Sequence, residues 1–464
     1  MITPILKNET KDPEEFQNYR PISILLFLSK LLETVLHWQL TNFIEENKLH
    51  GEFQSAYKPN HSCETAMVHV VNEIQEMTEN NLNVALVALD LSSAFDTVDH
   101  QILIDRLEKK FLIGGKALNL IISYLDERTF SVVIDKHIGK SHELRFGVPQ
   151  GSILGPLFYL LYTRKLEEIV KDYGFKVHLY ADDCCIYFPY SEENKTNAEQ
   201  KLAECIAHLK LWMSNNFLKL NTEKTSIIFF KSNGSKQVVP LCLQQNGKQI
   251  PPERTMKLLG VVLGSGWNFD EFVNKKIQTC NFHLRNLKAI KRCIPRKTRI
   301  MLVTSLICST LDFCNSLLIC SPKYILDRLQ KVINKAVRFI FDVRMREHIT
   351  PYLYTLHILP VAYRVKFKVS IIAYKIMKGI APKYLQDQVS LFVPMSDKPR
   401  RVGSGRDHLM FQTNITLQKS STWIAKMIIE WNRLEFDLRN LPDLNSFKTK
   451  LKTFYFTEAF KDYD

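Results

Sequence analysis

The pattern of apolar and polar residues predicts strands beside two groups of acidic side chains. Residues 84–89 form an unbroken apolar run that ends at Asp90, as expected of a strand buried on both faces. Residues 175–179 alternate between apolar and more polar positions, and the alternation resumes at 186–188, after Asp182-Asp183. The second pattern predicts a hairpin with two adjacent acids at its turn.

Helices and further strands are predicted for other parts of the first 270 residues. Apolar residues recur at helical spacing from Pro156 to Val170, which predicts a helix. Residues 217–230 predict the end of a helix, a polar connection at 221–224 and a strand at 227–230. The apolar run 258–264 predicts one continuous strand.

The chain changes character at about residue 271, where helical periodicity begins to dominate and basic residues are interleaved with apolar ones. Segment Pro394–Gly405 is the best candidate for a linker, and an apolar and basic segment, Trp423–Phe456, follows it. Mixed strands and helices are therefore expected in the first part, and helices in the second.

Composition fits a globular protein, with 45% hydrophobic and 24% charged residues, and 464 residues suggest two to four structural units. The net charge of +14 is unevenly distributed: residues 1–270 carry −5 and residues 271–464 carry +19. Basicity confined to one part indicates either a surface for a polyanion or a solvated basic face, and charge alone does not choose between them.

Several other functional classes are disfavoured. No apolar run reaches the roughly 20 residues of a membrane helix, and the N-terminus lacks the features of a signal peptide. The ten cysteines include no closely spaced pair of the zinc-binding type, so we expect buried thiols in a reducing compartment. An intracellular protein is expected, in nucleus or cytoplasm; the basic cluster Lys398-Pro399-Arg400-Arg401 does not decide which.

Acids at strand ends suggest metal-dependent chemistry. Phosphoryl transfer is accelerated by divalent cations that stabilise the attacking and leaving oxygens, and Mg²⁺ prefers carboxylate oxygens. If the strand before Asp90 neighbours the hairpin, Asp90 and Asp182 meet at one site. A pair of acids in a turn is, however, also an ordinary turn signal.

Three ordered blocks add a family resemblance. They are Ala88-Leu89-Asp90-Leu91-Ser92-Ser93-Ala94-Phe95-Asp96-Thr97-Val98-Asp99-His100, Gly147-Val148-Pro149-Gln150-Gly151-Ser152-Ile153-Leu154-Gly155-Pro156 and Tyr180-Ala181-Asp182-Asp183. Together they resemble the blocks of LINE-type (non-LTR) retrotransposon reverse transcriptases. Shorter segments at 18–23, 54–59, 220–225, 257–260 and 311–316 extend the similarity over most of the chain.

The resemblance implies an α+β fold of the right-hand polymerase type. Fingers are expected at 1–82, and an antiparallel-sheet palm with inserted finger elements and a primer grip at 83–270, so that the reverse transcriptase domain covers about 1–265. A helical, basic thumb is expected at 271–393, followed by a mainly helical C-terminal segment at 394–464. The endonuclease of such elements is not expected in this chain, which resembles a truncated copy.

The resemblance also implies roles for individual residues. Asp90 and Asp182 would hold two Mg²⁺ ions, or Mn²⁺, with Asp183 in support. Phe95 would stand against the sugar 2′-position, with plain core packing as the alternative. Further candidates are Gln150 and Gly151 at the template base pair, Arg20 and Lys58 at the incoming triphosphate, Lys224 as a general acid or a solvated turn lysine, and Leu259 and Gly260 in the primer grip.

Partners follow from the same resemblance: an RNA template, a DNA primer, the RNA–DNA hybrid and dNTPs, with no membrane. The predicted phosphate contacts of the thumb are Lys275, Lys276, Arg285, Lys288, Lys291 and Arg292. Asp99 is expected to cap a helix that begins before Ile102. Two other functions stay open, a catalytically silent nucleic-acid-binding remnant and a group II intron-type maturase.

Overall fold

The computed structural model describes residues 1–8, 10–92, 95–233, 240–245, 248–391, 410–412, 420–461 and 463. The strands are β1 (Ile2–Leu6), β2 (Tyr19–Ser23), β3 (Asn83–Ser92), β4 (Thr129–Phe130), β5 (Val133–Ile134), β6 (His137–Ile138), β7 (His142–Glu143), β8 (Lys176–Tyr180), β9 (Asp183–Tyr190), β10 (Lys219–Phe230), β11 (Leu243–Gln245), β12 (Lys248–Ile250), β13 (Pro252–Glu253), β14 (Thr255–Leu258) and β15 (Val261–Gly264).

The helices are α1 (Phe27–Glu46), α2 (Cys63–Glu79), α3 (His100–Lys109), α4 (Gly115–Leu125), α5 (Leu154–Thr163), α6 (Lys165–Asp172), α7 (Lys195–Ser214), α8 (Asp270–Ala289), α9 (Arg296–Val303), α10 (Ser309–Asp312), α11 (Lys323–Phe341), α12 (Thr350–Thr355), α13 (Val361–Met377), α14 (Lys383–Gln386), α15 (Trp423–Asn432), α16 (Phe436–Arg439) and α17 (Leu444–Ala459). A π-helical turn, Thr304–Cys308, joins α9 to α10. The predicted change from mixed elements to helices near residue 271 is confirmed.

A five-stranded sheet in the order β13-β10-β3-β9-β8 forms the centre of the first part. Its pairings are antiparallel, except that β13 runs parallel to β10. The predicted strand at 84–89 lies within the central strand β3, where Val84 to Val87 are fully buried. The expected α+β architecture with an antiparallel sheet, followed by a helical part, is confirmed.

The two faces of this sheet belong to two hydrophobic cores. Successive side chains of a strand point to opposite faces. On β3, Val84 and Leu86 accordingly join a core with α2 and with the helices of the second part, from Phe272 to Phe460. Ala85 and Val87 join a separate core with α3, α4, α5, α6 and α7. The helical second part and α2 therefore share the core on one face of the sheet.

Polar contacts tie the second part to the same sheet. Tyr384 on α14 has its hydroxyl 2.9 Å from the Oγ of Ser55, and that Oγ lies 2.9 Å from Nε2 of the buried His178 on β8. Trp423 on α15 connects the second part to α2, because its backbone N–H donates to Oε1 of Gln75 at 2.9 Å. These contacts connect residues more than 100 positions apart.

Helix starts are stabilised by acids and hydroxyls, because the first N–H groups of a helix have no partner within it. Asp99 accepts a bond from the N–H of Ile102 at 2.9 Å, which confirms its predicted capping role at α3. The buried Glu33 of α1 accepts bonds from the N–H groups of Ile153 and Leu154, at 2.6 and 3.3 Å, where α5 begins. Glu33 thus fixes the position of a helix 120 residues away.

Two strand predictions were wrong in detail. The polar segment 221–224 is part of β10 rather than a loop: Asn221 pairs with Asp90, and the register shifts between Asn221 and Ser226. A bulge accommodates the polar residues without ending the strand. The run 258–264 is not one strand but includes the end of β14, a turn and β15. The chain reverses because Leu259 and Gly260 both have positive φ (48° and 83°), so that β14 and β15 pair as a hairpin.

Helix predictions were closer. The predicted helix Pro156–Val170 is present as α5 and α6, which meet at Arg164. Segment Trp423–Phe456 contains α15, α16 and most of α17, in the part of the chain where helices were expected. The linker candidate Pro394–Gly405 and the basic cluster at 398–401 lie outside the described residues. Among the helices that are described, none combines the length and the apolar character needed to span a bilayer.

Candidate active site

Three carboxyl groups meet at one end of the central sheet. Asp90, near the end of β3, is the direct Cα partner of Asp183, the first residue of β9. The chain reverses between Tyr180 and Asp183, and Ala181 takes a positive φ of 54° in this turn. Opposed residues of antiparallel strands have Cα atoms about 4.5–5.5 Å apart and side chains on one face. The expectation that strand and hairpin are neighbours is confirmed.

The turn is held from outside the hairpin by a buried amide. Gln54 forms an isolated parallel β-bridge with Leu179 of β8. Its side-chain Oε1 accepts hydrogen bonds from the N–H groups of Ala181 and Ala56, at 3.2 and 2.9 Å. Gln54 was not identified from the sequence, although it lies in a segment that carries the family resemblance. Its contact fixes the backbone from which Asp182 projects.

Burial and neighbouring charge raise the pKa of two of the acids, Asp182 and Asp183. Burial raises the pKa of Asp183 to about 6, and the charges of Asp182 and Asp90 add to the effect. Burial also raises the pKa of Asp182, again with a contribution from Asp90. Carboxylates crowded in a partly buried position favour protonation or a nearby cation. The site therefore has a physical requirement for positive charge.

Two of the predicted cationic residues face this cluster. Lys224, from the irregular part of β10, places its Nζ 2.8 Å from Oδ2 of Asp90, and its side chain is largely exposed. The charges of Lys224 and Arg20 both lower the pKa of Asp182. Arg20 lies on β2 and is exposed to solvent.

Lys58 is directed elsewhere. Its ammonium group donates to the carbonyl of Gly51 at 3.0 Å. Burial lowers the pKa of Lys58, and the carboxylates that act on it are Glu167, Glu45 and Glu52 rather than the three aspartates. The structure does not bring Lys58 together with the acids.

Aromatic rings line the side of the site. Phe95 is half-buried and stacks on Tyr159 of α5, with ring centroids 4.8 Å apart. The edge of the Tyr57 ring approaches Phe95 at 6.5 Å. Burial raises the pKa of both tyrosines, and the charge of Asp182 raises it further. Neither tyrosine was identified from the sequence, although Tyr57 adjoins Lys58 and Tyr159 follows the block at 147–156.

Gln150 and Gly151 form a tightly fixed loop beside the same site. The Gln150 amide donates to both carboxylate oxygens of Asp96, at 2.8 and 3.0 Å. The backbone carbonyl of Gln150 accepts from the N–H of Ser23 at 2.7 Å. Gly151 has a φ of +114°, and a Cβ there would lie 2.9 Å from the Ser23 carbonyl oxygen. Glycine is therefore required by both conformation and space.

The turn between β14 and β15 touches the helical part. A Cβ at Gly260 would lie 3.2 Å from the ring of Phe313. A cavity of about 570 Å³ lies beside this turn and α8, and Lys257, Lys275 and Phe272 are among its lining residues. The predicted primer-grip residues are thus placed at the junction of the sheet region and the first basic helix.

The predicted basic contacts differ in their surroundings. Arg285, Lys288 and Arg292 are exposed, while Lys275 and Lys291 are engaged by Glu271 and Asp342. Arg285 and Lys288 are three residues apart on α8 and share one face. Phe282, one turn earlier, is also exposed, so this face combines an aromatic ring with cations.

Lys276 is a correction to the predicted set. It is only 5% exposed, and its Nζ donates to the carbonyls of Thr310 and Phe313 at 2.5 and 2.7 Å. Burial lowers its pKa to about 8. Its side chain points into the protein because carbonyl oxygens from a later turn surround its ammonium group, so it is not part of the exposed basic face.

The donor set of the acids suits a hard divalent cation, because carboxylate oxygens are the ligands such ions prefer. Within the part of the chain that the structure describes, no three His, Cys, Asp or Glu side chains are arranged ready to hold a metal ion. The ion pair between Lys224 and Asp90 agrees with this finding, because the ammonium group occupies a position beside Asp90 that a metal ion would otherwise take.

Comparison with known families bears on these residues. The family model for reverse transcriptase (RNA-dependent DNA polymerase) matches residues 5–263, which include all three acids. The chain belongs to this family. Enzymes of the family generally use divalent metal ions. The matched region ends at β15, just before the basic helices begin.

Curated relatives also match a little over half of this chain. The chain is 28% identical over 284 residues to the probable RNA-directed DNA polymerase from transposon BS of Drosophila melanogaster, covering 60% of this chain and 31% of the relative. It is 28% identical over 270 residues to the RNA-directed DNA polymerase from mobile element jockey of the same species, covering 57% and 28%. The chain thus spans about a third of the length of these relatives.

Solved structures are more distant. The apo telomerase of Candida tropicalis is 11% identical, with a TM-score of 0.40, covering 77% of this chain and 60% of the telomerase chain. The RNA-dependent RNA polymerase of a human picorbirnavirus, with its insertion loop deleted, is 13% identical, with a TM-score of 0.36, covering 72% of this chain and 62% of that chain.

Proposed function

We propose that this chain is an RNA-directed DNA polymerase of a non-LTR retrotransposon, which extends a DNA primer on an RNA template. The observation that carries the proposal is the pairing of Asp90 with Asp183 beside Asp182, at the end of the central sheet of a reverse transcriptase family member. In the proposed reaction, the primer 3′-hydroxyl attacks the α-phosphate of a dNTP and pyrophosphate leaves.

Asp90, Asp182 and Asp183 are the residues that would hold Mg²⁺ or Mn²⁺. Two such ions, when bound, would stabilise charge on the attacking and leaving oxygens. The pKa values of Asp182 and Asp183, raised by burial and by neighbouring carboxylates, support this assignment, because a bound cation would stabilise the ionised form of both groups. Lys224 neutralises Asp90 before substrate arrives and is then available to give a proton to the leaving pyrophosphate.

Other residues position the nucleotide in this proposal. Phe95 is supported by Tyr159 and would limit space at the sugar 2′-position, so that a ribonucleotide is disfavoured. Gln150 is oriented by Asp96 and would meet the template base pair together with Gly151. Arg20, exposed and acting on Asp182, is the better candidate for contacting the triphosphate.

Primer extension on poly(rA)/oligo(dT) with purified wild type and Asp182→Asn tests the proposal. Wild type is expected to incorporate dTTP only with Mg²⁺ or Mn²⁺, and the variant is expected to lose nearly all incorporation. Asp172→Asn, an exposed carboxyl on α6, is the matched control and should keep full activity. Inactive but folded wild type would favour a silent nucleic-acid-binding remnant, and incorporation that ignores Asp182→Asn would indicate a contaminant.

We further propose that the exposed basic face of α8 grips the RNA–DNA hybrid through phosphates. Arg285 and Lys288 share this face with Phe282. Each phosphate contact contributes about 0.9 to the slope of log Kd against log salt concentration for a duplex. Arg285→Gln and Lys288→Gln should each lower the slope by about that amount, whereas Lys201→Gln on α7 should leave it unchanged. Equal slopes for all three variants would refute the assignment.

A further inference from the structure

A groove in the second part of the chain lies outside the residues that the family model matches. It is formed where α17 packs against α13 and the segment before it, and has a volume of about 440 Å³. No residue of the candidate active site contributes to it. Its lining residues are His357, Phe367, Lys448, Thr449, Lys452, Thr453 and Phe456.

One side of the groove carries unbalanced positive charge. Lys448 and Lys452 are four residues apart on α17 and therefore project from the same face, a spacing at which like charges repel. Within the described part of the chain, neither makes an ion pair with a carboxylate. Lys375 on α13 adds to the crowding: burial lowers its pKa, and the charge of Lys448 lowers it further.

The other side presents aromatic faces. The rings of His357 and Phe456 lie 5.0 Å apart with 34° between their planes. His357 is exposed and has a positive φ of 49°, so the backbone holds its ring at the edge of the groove. Phe456 and Phe367 are half-buried and line its floor. Phe456 also packs against Tyr354 and Phe460, with ring centroids 5.1 and 4.7 Å apart, so His357 is the exposed ring of the pair. Proteins bind single-stranded nucleic acids with cations beside such exposed rings, because bases stack on the rings while phosphates pair with the cations.

We propose that this groove binds a single-stranded nucleic acid, with phosphates on Lys448 and Lys452 and a base against the ring of His357, which packs on Phe456. A duplex would offer phosphates but no open base face. An anionic membrane would favour protruding apolar side chains, yet the phenylalanines here are recessed. A phosphorylated peptide would favour a forked arginine site, and the lining contains no arginine. The proposal does not depend on polymerase activity.

Fluorescence anisotropy with a labelled oligo(dT) and the full chain tests the charged side. Lys448→Gln/Lys452→Gln is expected to lower the slope of log Kd against log salt concentration by about 1.4, since each phosphate contact to a single strand contributes about 0.7. The matched control is Lys450→Gln/Lys461→Gln, which removes the same charge from exposed positions outside the groove. Equal slopes for the two double variants would overturn the proposal.

The aromatic side has its own test. His357→Asn removes the ring while keeping a residue that tolerates positive φ. It is expected to weaken oligo(dT) binding by about five-fold or more, without altering the salt slope. An abasic oligonucleotide of the same length, which keeps the phosphates, should not respond to His357→Asn. An equal loss of affinity on both oligonucleotides would overturn the stacking contact.

Two further measurements distinguish binding in this groove from polymerase activity and from binding to a lipid surface. Asp182→Asn should abolish primer extension yet leave the groove-dependent change in salt slope intact, so that either proposal can fail alone. Phosphatidylserine vesicles serve as the second probe. Vesicle binding that needs Lys448 and Lys452, together with oligonucleotide binding that does not, would overturn the proposal in favour of a lipid surface.

Discussion

Asp183→Asn should make the metal-free protein more stable, even though it is expected to impair catalysis. Asparagine occupies nearly the same volume but carries no charge, so it removes one member of the crowded carboxylate group. In the folded protein the pKa of Asp183 is about 6, compared with an ordinary 3.8, because of burial and the charges of Asp182 and Asp90. The ionised carboxylate is therefore disfavoured in the folded state.

The magnitude follows from the pKa difference. A rise from 3.8 to about 6 corresponds to about 3 kcal/mol. Because Asp183 is only half-buried, solvent screening reduces the expected gain to about 1–2 kcal/mol. When folding raises the pKa of a carboxyl group, the folded protein becomes less stable as pH rises from the group's pKa in the unfolded state through its pKa in the folded state. The advantage of the asparagine variant should be full at about pH 8 and fall to about half at about pH 5.

Equilibrium unfolding in guanidinium chloride with EDTA measures this difference. Wild type, Asp183→Asn and the control Asp172→Asn are compared at both pH values. Asp172→Asn should change the free energy of unfolding by less than about 0.5 kcal/mol, as for an ordinary surface substitution. Adding Mg²⁺ should favour wild type and reduce the gap. An asparagine variant no more stable than wild type at the higher pH would refute the electrostatic reasoning.

Three further predictions concern the frame around the acids. Gly151→Ala should cost about 1–3 kcal/mol in thermal unfolding, because its φ is +114° and its Cβ would approach the carbonyl of Ser23. Glu33→Ala should cost a similar amount, about 1–3 kcal/mol in chemical unfolding, since it leaves buried N–H groups at the start of α5 unsatisfied. Lys224→Met should change stability by less than about 1 kcal/mol, because its ion pair with Asp90 is largely exposed. NMR titration of this variant should show a higher pKa for Asp182 and Asp183, because the charge of Lys224 lowers both.

Each of these has a matched comparison. Gly174→Ala shares a positive φ of 75° but has open space around the new Cβ, so it isolates the conformational cost. If Gly174→Ala destabilises the protein as much as Gly151→Ala does, the predicted clash with the Ser23 carbonyl contributes nothing to the loss of stability. Glu33→Gln retains an acceptor oxygen and should recover part of the loss; recovery of none would mean that the cap does not act through that oxygen. An unchanged carboxyl titration in Lys224→Met would contradict the role of its charge.

The positions of the three acids could be predicted from the sequence because the strand and the hairpin that carry them each have a pattern confined to a few consecutive residues. A buried strand has a continuous apolar signature, and two adjacent acids between alternating arms indicate a hairpin. The pairing of Asp90 with Asp183 required only that these two elements be neighbours. Capping by Asp99 was also predictable, since it acts three residues along the chain.

Other features depend on contacts that a linear pattern does not contain. The reversal at Leu259 and Gly260 lies inside a run that is apolar throughout, and hydrophobicity gives no sign of a change in chain direction. Lys276 was assigned to the surface by its charge, but three carbonyl groups from a turn more than 30 residues later enclose it. Tyr159 was read as part of a buried helix, without a sign that it supports Phe95.

The covering of one sheet face by distant helices has a consequence for synthesis of the protein. Val84 and Leu86 emerge from the ribosome early, but their core is completed by side chains as late as Tyr455 and Phe460. Until those residues are made, the apolar core on this face of the sheet stays incomplete, which favours chaperone binding or aggregation. A fragment cut after residue 263 would share that state permanently, so domain swaps between such elements should carry the downstream helices with the sheet.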